Sequence, residues 1–256
     1  MSFRIALSGK GGSGKTTIAA LMIKALIEQG DGAVLAVDAD PNATLAMALG
    51  IEPRRTISDM RQDMMDRRIE IPAGVPKERV FEYKFHELVD EHPGFDFLSM
   101  GRPEGPKCYC YVNHLLRKYL DRLSSDYAYV VIDNEAGMEH LSRRTTDSVD
   151  LLILVSQPTL VGLESVRRIS ALASTLPITV KRQELVLNMA KGGHASSEIV
   201  ASAREMGYGP FFSVPSDPQV EQAWEKGLSL LELTPASPAY ASVSAMIREL
   251  LCIGVN

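Results

Sequence analysis

Residues Gly9-Lys10-Gly11-Gly12-Ser13-Gly14-Lys15-Thr16 fit the pattern G-x-x-x-x-G-K-[ST], whose chemistry is the capture of a nucleotide's phosphates. Glycine permits the tight curl in which the backbone N–H groups of Gly11, Gly12, Ser13 and Gly14 surround phosphate oxygens. The positive end of the helix that follows, at Lys15, Thr16 and Thr17, adds a favourable dipole. Lys15 supplies a point charge for the β- and γ-phosphates, and the Thr16 hydroxyl suits a magnesium shell. The expected ligand is MgATP.

Two acidic stretches belong with this loop. Val37-Asp38-Ala39-Asp40-Pro41 ends one apolar run, and Val130-Val131-Ile132-Asp133-Asn134-Glu135-Ala136-Gly137 ends another. Carboxylates that emerge at the C-terminal edges of strands face the ligand crevice of an α/β sheet. Asp133 is expected to contact magnesium, and the Gly137 region to sense the γ-phosphate. Asn188 closes the run Leu185-Val186-Leu187, and its amide matches the N6 and N7 edge of adenine.

A third set of residues points to a metal. Cys108 and Cys110 stand one residue apart, after a Gly/Pro-rich loop and before a helical pattern. One chain then offers two thiols, too few for a four-ligand site, but two chains around a two-fold axis offer four. The helix N-terminus behind them lowers thiol pKa and favours the metal-binding thiolate. Four thiolates by themselves suit zinc or an iron–sulfur cluster; nickel prefers planar surroundings. His86, His92, His114 and His140 are read as surface or capping residues, and Cys252 as a small core residue of a C-terminal apolar helix.

The elements that must hold these groups alternate. Strands are expected at Arg4–Ser8, Ala33–Val37, Phe95–Ser99, Tyr129–Ile132, Leu151–Val155, Leu185–Leu187 and Phe211–Val214. Helical patterns run over Thr16–Gln29, Val112–Leu123, Leu163–Thr175 and Ser196–Met206. Continuous apolar strands separated by helices predict an α/β fold with a doubly wound, mostly parallel sheet flanked by helices. Residues 1–256 are read as a single domain, with a charged, mostly helical insertion at about 51–94.

With Lys10 at its start, the phosphate loop resembles the deviant Walker A loop of the ATPases that include the nitrogenase iron protein and the septum-placing and plasmid-partition ATPases (MinD and ParA). In that family the extra lysine reaches across a dimer interface to the partner's nucleotide, so the resemblance implies an ATP-dependent homodimer through Lys10. It also implies that Asp40 positions or activates the attacking water and that Asp38 supports the magnesium shell. Pro215 and Asp217, in Val214-Pro215-Ser216-Asp217, would form a second base-contacting loop. More narrowly, Cys108-Tyr109-Cys110, Asn113-His114-Leu115-Leu116 and Asp133-Asn134-Glu135-Ala136-Gly137-Met138-Glu139-His140 look like the CooC-type nickel-insertion ATPases of carbon monoxide dehydrogenase. That similarity runs from the phosphate loop to Asp217. It implies nickel bound between subunits by the cysteine pairs, with zinc possible at the same thiolates. The implied client is carbon monoxide dehydrogenase or the related acetyl-CoA synthase.

Other functions of the same fold fit less well. An iron–sulfur reductase ATPase would carry a cysteine near the switch after Asp133, and residues 133–144 contain none. A membrane-positioning ATPase would end in a basic amphipathic helix, but Ala239–Val255 has Arg248 as its one basic residue. A net charge of -5 over 256 residues argues against a nucleic-acid partner. The longest apolar runs are too short to span a bilayer, and no leader pattern precedes the first strand, so a cytoplasmic protein is expected.

Overall fold

The computed structural model describes residues 2–66, 74–102, 120–136, 148–209 and 211–252. Eight strands form one sheet: β1 (Phe3–Ser8), β2 (Val34–Ala39), β3 (Asp90–His92), β4 (Phe95–Ser99), β5 (Tyr129–Asn134), β6 (Ser148–Ser156), β7 (Thr179–Ala190) and β8 (Phe212–Pro215). Their order is β3-β4-β2-β5-β1-β6-β7-β8, and every pairing is parallel except β3 with β4. The doubly wound, mostly parallel sheet expected from the sequence is therefore present.

Strand residues alternate between two cores, as the two-residue side-chain period requires. On β1, Ile5 and Leu7 enter one core and Ala6 the other; on β6, Leu151, Ile153 and Val155 oppose Leu152 and Leu154. The first core is covered by α1 (Lys15–Gln29), α2 (Thr44–Leu49) and α8 (Pro238–Cys252). The second is covered by α3 (Ile57–Met65), α4 (Lys77–His86), α5 (Leu160–Ala173) and α6 (Ser197–Glu205). A further helix, α7 (Pro218–Lys226), follows β8. Apolar residues on both faces explain why the central strands read as unbroken hydrophobic runs.

Three details differ from the sequence reading. The short strand β3, Asp-Glu-His, is too polar to show as a strand, yet it pairs with β4 in an antiparallel hairpin at the sheet edge. β7 begins at Thr179, not Leu185. Its first half pairs with β6 while β8 pairs only from Val186 onward, so polar residues are tolerated there and Lys181 reaches Asp150 at 2.7 Å. Cys252 is exposed at the end of α8, past the buried stripe of Val243, Met246, Ile247 and Leu250. It is not a core residue.

Candidate nucleotide site

The sheet order brings β5, β1 and β6 side by side, and the chain crosses β1 between β5 and β6. This is the point at which a doubly wound sheet opens its ligand crevice. Register puts Asp38 of β2 level with Asp133 of β5, and Asp133 level with Leu7 of β1. Two carboxylates from stretches nearly a hundred residues apart thus share one strand edge with the phosphate loop.

The loop is fixed from outside as well as by its own turn. A Cβ on Gly9 would lie 2.2 Å from the Val155 carbonyl oxygen, and Gly14, at φ +86°, would place one 2.1 Å from the Asn188 amide. Only glycine fits either position. Asn188 donates its amide to the Ser13 carbonyl at 2.9 Å, and Gln157, just past β6, donates to the Gly12 carbonyl at 3.3 Å. Helix α1 starts from Gly14 without a side-chain cap and with no acid in its first turn. Its positive end is therefore left for an anion.

Lys15 is buried, with Nζ 3.5 Å from the Lys10 carbonyl oxygen. Burial lowers its pKa, while the charges of Asp133, Asp40 and Glu135 pull the other way. Lys10 is exposed on the rim of the loop. Thr16 donates its hydroxyl to Oδ2 of Asp133 at 2.7 Å and lies 3.3 Å from the Thr44 hydroxyl. Asp133 is fully buried, and its Oδ1 has no hydrogen-bond partner. An orphaned buried carboxylate oxygen beside a threonine hydroxyl is a donor set that suits a hard divalent cation such as magnesium.

Asp38 and Asp40 differ although two residues separate them. Asp38 is fully buried and accepts from the backbone N–H groups of Asp40, Leu45 and Ala46 at 3.0, 3.0 and 3.3 Å. It caps α2 and fixes the Asp40–Thr44 loop. Asp40 is half-buried and accepts from the Asn42 N–H at 2.8 Å, an Asx turn at the start of the loop.

At the other end of the crevice, Asp217 is buried and its carboxylate is taken up by helix caps. Oδ1 accepts from the Gln219 N–H at 2.8 Å, and Oδ2 from the Ser237 hydroxyl at 2.5 Å and the Ala239 N–H at 3.1 Å. Pro215 closes β8 just before it. Sequence reasoning passed over Trp224, whose indole N–H donates to the Thr17 hydroxyl at 3.1 Å, and Gln157. Neither sits in a motif, and each meets the loop only through the fold. Gly137, Cys108 and Cys110 lie outside the described residues.

Burial pushes Asp133 up to about 7 and Asp38 up to about 6; hydrogen bonds, and for Asp133 the Lys15 charge, offset part of this. An acid whose folded pKa exceeds its unfolded value, ~3.9 for Asp, holds its proton more tightly when folded. Its ionisation therefore costs stability progressively as pH rises through that window, with the full cost above about 7 for Asp133. Asp133→Asn is expected to raise the stability of the nucleotide-free protein at pH 8 by about 1–3 kcal/mol, and to give no gain at pH 4. Thermal melts at both pH values check this, and an equal shift at the two contradicts it.

Comparisons with known proteins agree with this geometry. The CobQ/CobB/MinD/ParA nucleotide binding domain matches residues 5–230. An uncharacterized ATP-binding protein of Methanocaldococcus jannaschii is 39% identical over 250 residues, covering 96% of this chain and 98% of its own. The carbon monoxide dehydrogenase accessory protein CooC of Rhodospirillum rubrum is 31% identical over 259 residues, covering 96% of this chain and 97% of its own. Among solved structures, a ParA family ATPase from Chlorobium tepidum superposes with a TM-score of 0.71 at 23% identity, over 97% of this chain and 99% of that one. At that identity the superposition speaks to the fold. No helix among the described residues is long and apolar enough to cross a membrane. The chain belongs to the CobQ/CobB/MinD/ParA nucleotide binding domain family and is an ATP-binding P-loop ATPase.

Proposed function

We propose that the chain is an ATP-driven metal-delivery protein that closes into a homodimer on MgATP and carries nickel between its two copies. The observation that carries this reading is the pair Cys108 and Cys110 in a chain 31% identical, along almost its whole length, to a carbon monoxide dehydrogenase accessory protein. Among the described residues no group of three His, Cys, Asp or Glu is placed to hold a metal ion. Two thiolates per chain make four about a two-fold axis, enough for one ion and too few without the partner.

In this reading residues 1–256 work as one ATPase domain. The backbone of Gly11, Gly12, Ser13 and Gly14, with Lys15, Thr16 and Thr17, holds the phosphates. Thr16 and Asp133 hold magnesium, which neutralises charge on the phosphates when bound; Asp38 serves the same site by fixing the loop after β2. Asp40 orients the attacking water and accepts its proton. Lys10, exposed on the rim, reaches the partner's nucleotide. Adenine lies against Asn188 and the backbone at Pro215, while Asp217 shapes that loop from behind and does not meet the base. Hydrolysis loosens the dimer and releases nickel to carbon monoxide dehydrogenase or acetyl-CoA synthase. Linkage makes the coupling mutual: if ATP tightens the metal site, metal tightens the ATP-bound dimer by the same factor.

Exchanging both Cys108 and Cys110 for Ala tests this. The variant is expected to lose stoichiometric nickel or zinc, measured by metal analysis of the ATP-bound protein, and to keep its affinity for MgATP. One metal ion per dimer retained by the variant places the cargo elsewhere.

A further inference from the structure

The loop after Asp40 forms one wall of a second cavity, which the nucleotide site does not use. Its other walls are the first turns of α3 and the Ser99–Arg102 segment at the end of β4, and its volume is about 310 Å³. That is the lower end of the range for small-molecule sites.

Three features mark it as a site built for a ligand. The first is an unmet hydrogen-bonding group. Ser99 lines the cavity, is 1% exposed, and its hydroxyl has no partner, although buried hydroxyls are almost always bonded. Ser58, also in the lining, is different: its hydroxyl is already donated to the Met100 carbonyl at 2.9 Å. The second is a cation held in place. Arg102 donates from Nε to the Pro41 carbonyl at 3.1 Å and from one terminal nitrogen to Asn42 Oδ1 at 3.4 Å, so its guanidinium is anchored at the mouth. A guanidinium has five N–H donors, and these two bonds leave others for a bound group. The third is the charge of the lining. Arg102 is its anchored cation, and the nearby acid Asp59 has its Oδ2 occupied by the Thr56 N–H at 2.8 Å and the Thr56 hydroxyl at 2.9 Å. A single anchored guanidinium matches a monoanion better than a phosphate dianion. A planar carboxylate also fits the fork of a guanidinium.

We propose that this cavity binds a small carboxylate ligand, with Arg102 and the Ser99 hydroxyl as its principal contacts. The proposal does not depend on the metal-delivery reading. Ser99 pairs in register with Asp38, and Arg102 is bonded to the residues that follow Asp40. A bound carboxylate therefore touches the loop that carries Asp40, and its occupancy reports to the ATPase site by contact.

Acetate, lactate, glutamate and succinate, titrated calorimetrically into the full-length protein with sulfate as a control, test it. At least one carboxylate is expected to saturate at one per chain with a sub-millimolar Kd and to bind at least tenfold more tightly than sulfate. Ser99→Ala and Arg102→Gln should each weaken that ligand tenfold or more. Ser99→Ala should also keep the wild-type melting temperature, which separates lost contact from lost fold. The proposal is overturned if none of the four binds with a sub-millimolar Kd, if sulfate binds within tenfold of the best of them, or if either substitution weakens binding less than tenfold.

Discussion

Lys15→Ala is expected to weaken MgATP binding by a factor on the order of 10²–10³, the usual consequence of removing one partner of a buried charge pair. The side chain is buried at the start of α1, where burial lowers its pKa and the charges of Asp133, Asp40 and Glu135 pull the other way. Once the cation is gone, those three acids and the triphosphate lose the side-chain positive charge that lay between them. Two effects then add: an attraction is lost and a repulsion is exposed. Trp224, the chain's single tryptophan, gives the measurement a built-in probe because its indole bonds Thr17, two residues along the same helix. Titration of wild type with MgATP should change its emission, and the variant should need far higher concentrations for the same change. Affinity within threefold of wild type would remove Lys15 from the phosphate site.

Asp40→Ala is expected to do the opposite. Binding of MgATP should stay within a few-fold, while turnover falls by about 10²–10⁴, the usual range for a lost general base. The local structure supports a clean separation. Asp40 is half-buried and holds only the Asn42 turn, whereas Asp38 carries the three backbone bonds that shape the loop and cap α2. Removing Asp40 therefore leaves the crevice standing. With hydrolysis blocked, ATP-bound dimers should accumulate, visible by light scattering. Full turnover in the variant would assign the base to another residue, and a large loss of ATP affinity would assign Asp40 to binding.

How much of this was legible in the sequence depends on the range of the interaction. The phosphate loop, and the acids that end β2 and β5, are short patterns in which a residue and its immediate neighbours set the geometry. The parallel sheet was legible for the same reason, since β1, β2, β5 and β6 each contain a continuous apolar stretch that is buried in the sheet. What escaped depends on distant partners. Nothing near Trp224 says that it will meet Thr17, 207 positions away, and nothing near Gln157 says that it will hold Gly12, 145 positions away. The resemblance places Asp217 in a base-contacting loop, and in the structure its Oδ2 accepts from the Ser237 hydroxyl and the Ala239 N–H at the start of α8. The resemblance gives Asp38 a supporting place in the magnesium shell, and the bonds it makes, to the N–H groups of Asp40, Leu45 and Ala46, fix the loop after β2. Cys252 has a core composition around it and still falls beyond the buried stripe, because a helix of fixed pitch turns its last residue outward. The polar strand β3 and the first half of β7 are held by pairing and edge position, which hydrophobic pattern does not record.

In the proposed function, two copies joined over ATP complete a metal site that neither holds alone. The direct measurement is light scattering with parallel metal analysis on the Asp40→Ala protein, with and without MgATP, in the presence of nickel. Twice the chain mass and one metal ion per two chains are expected with nucleotide, and single chains without bound metal in its absence. A protein that stays at the mass of one chain when saturated with MgATP, or whose metal content ignores the nucleotide, contradicts the proposed function.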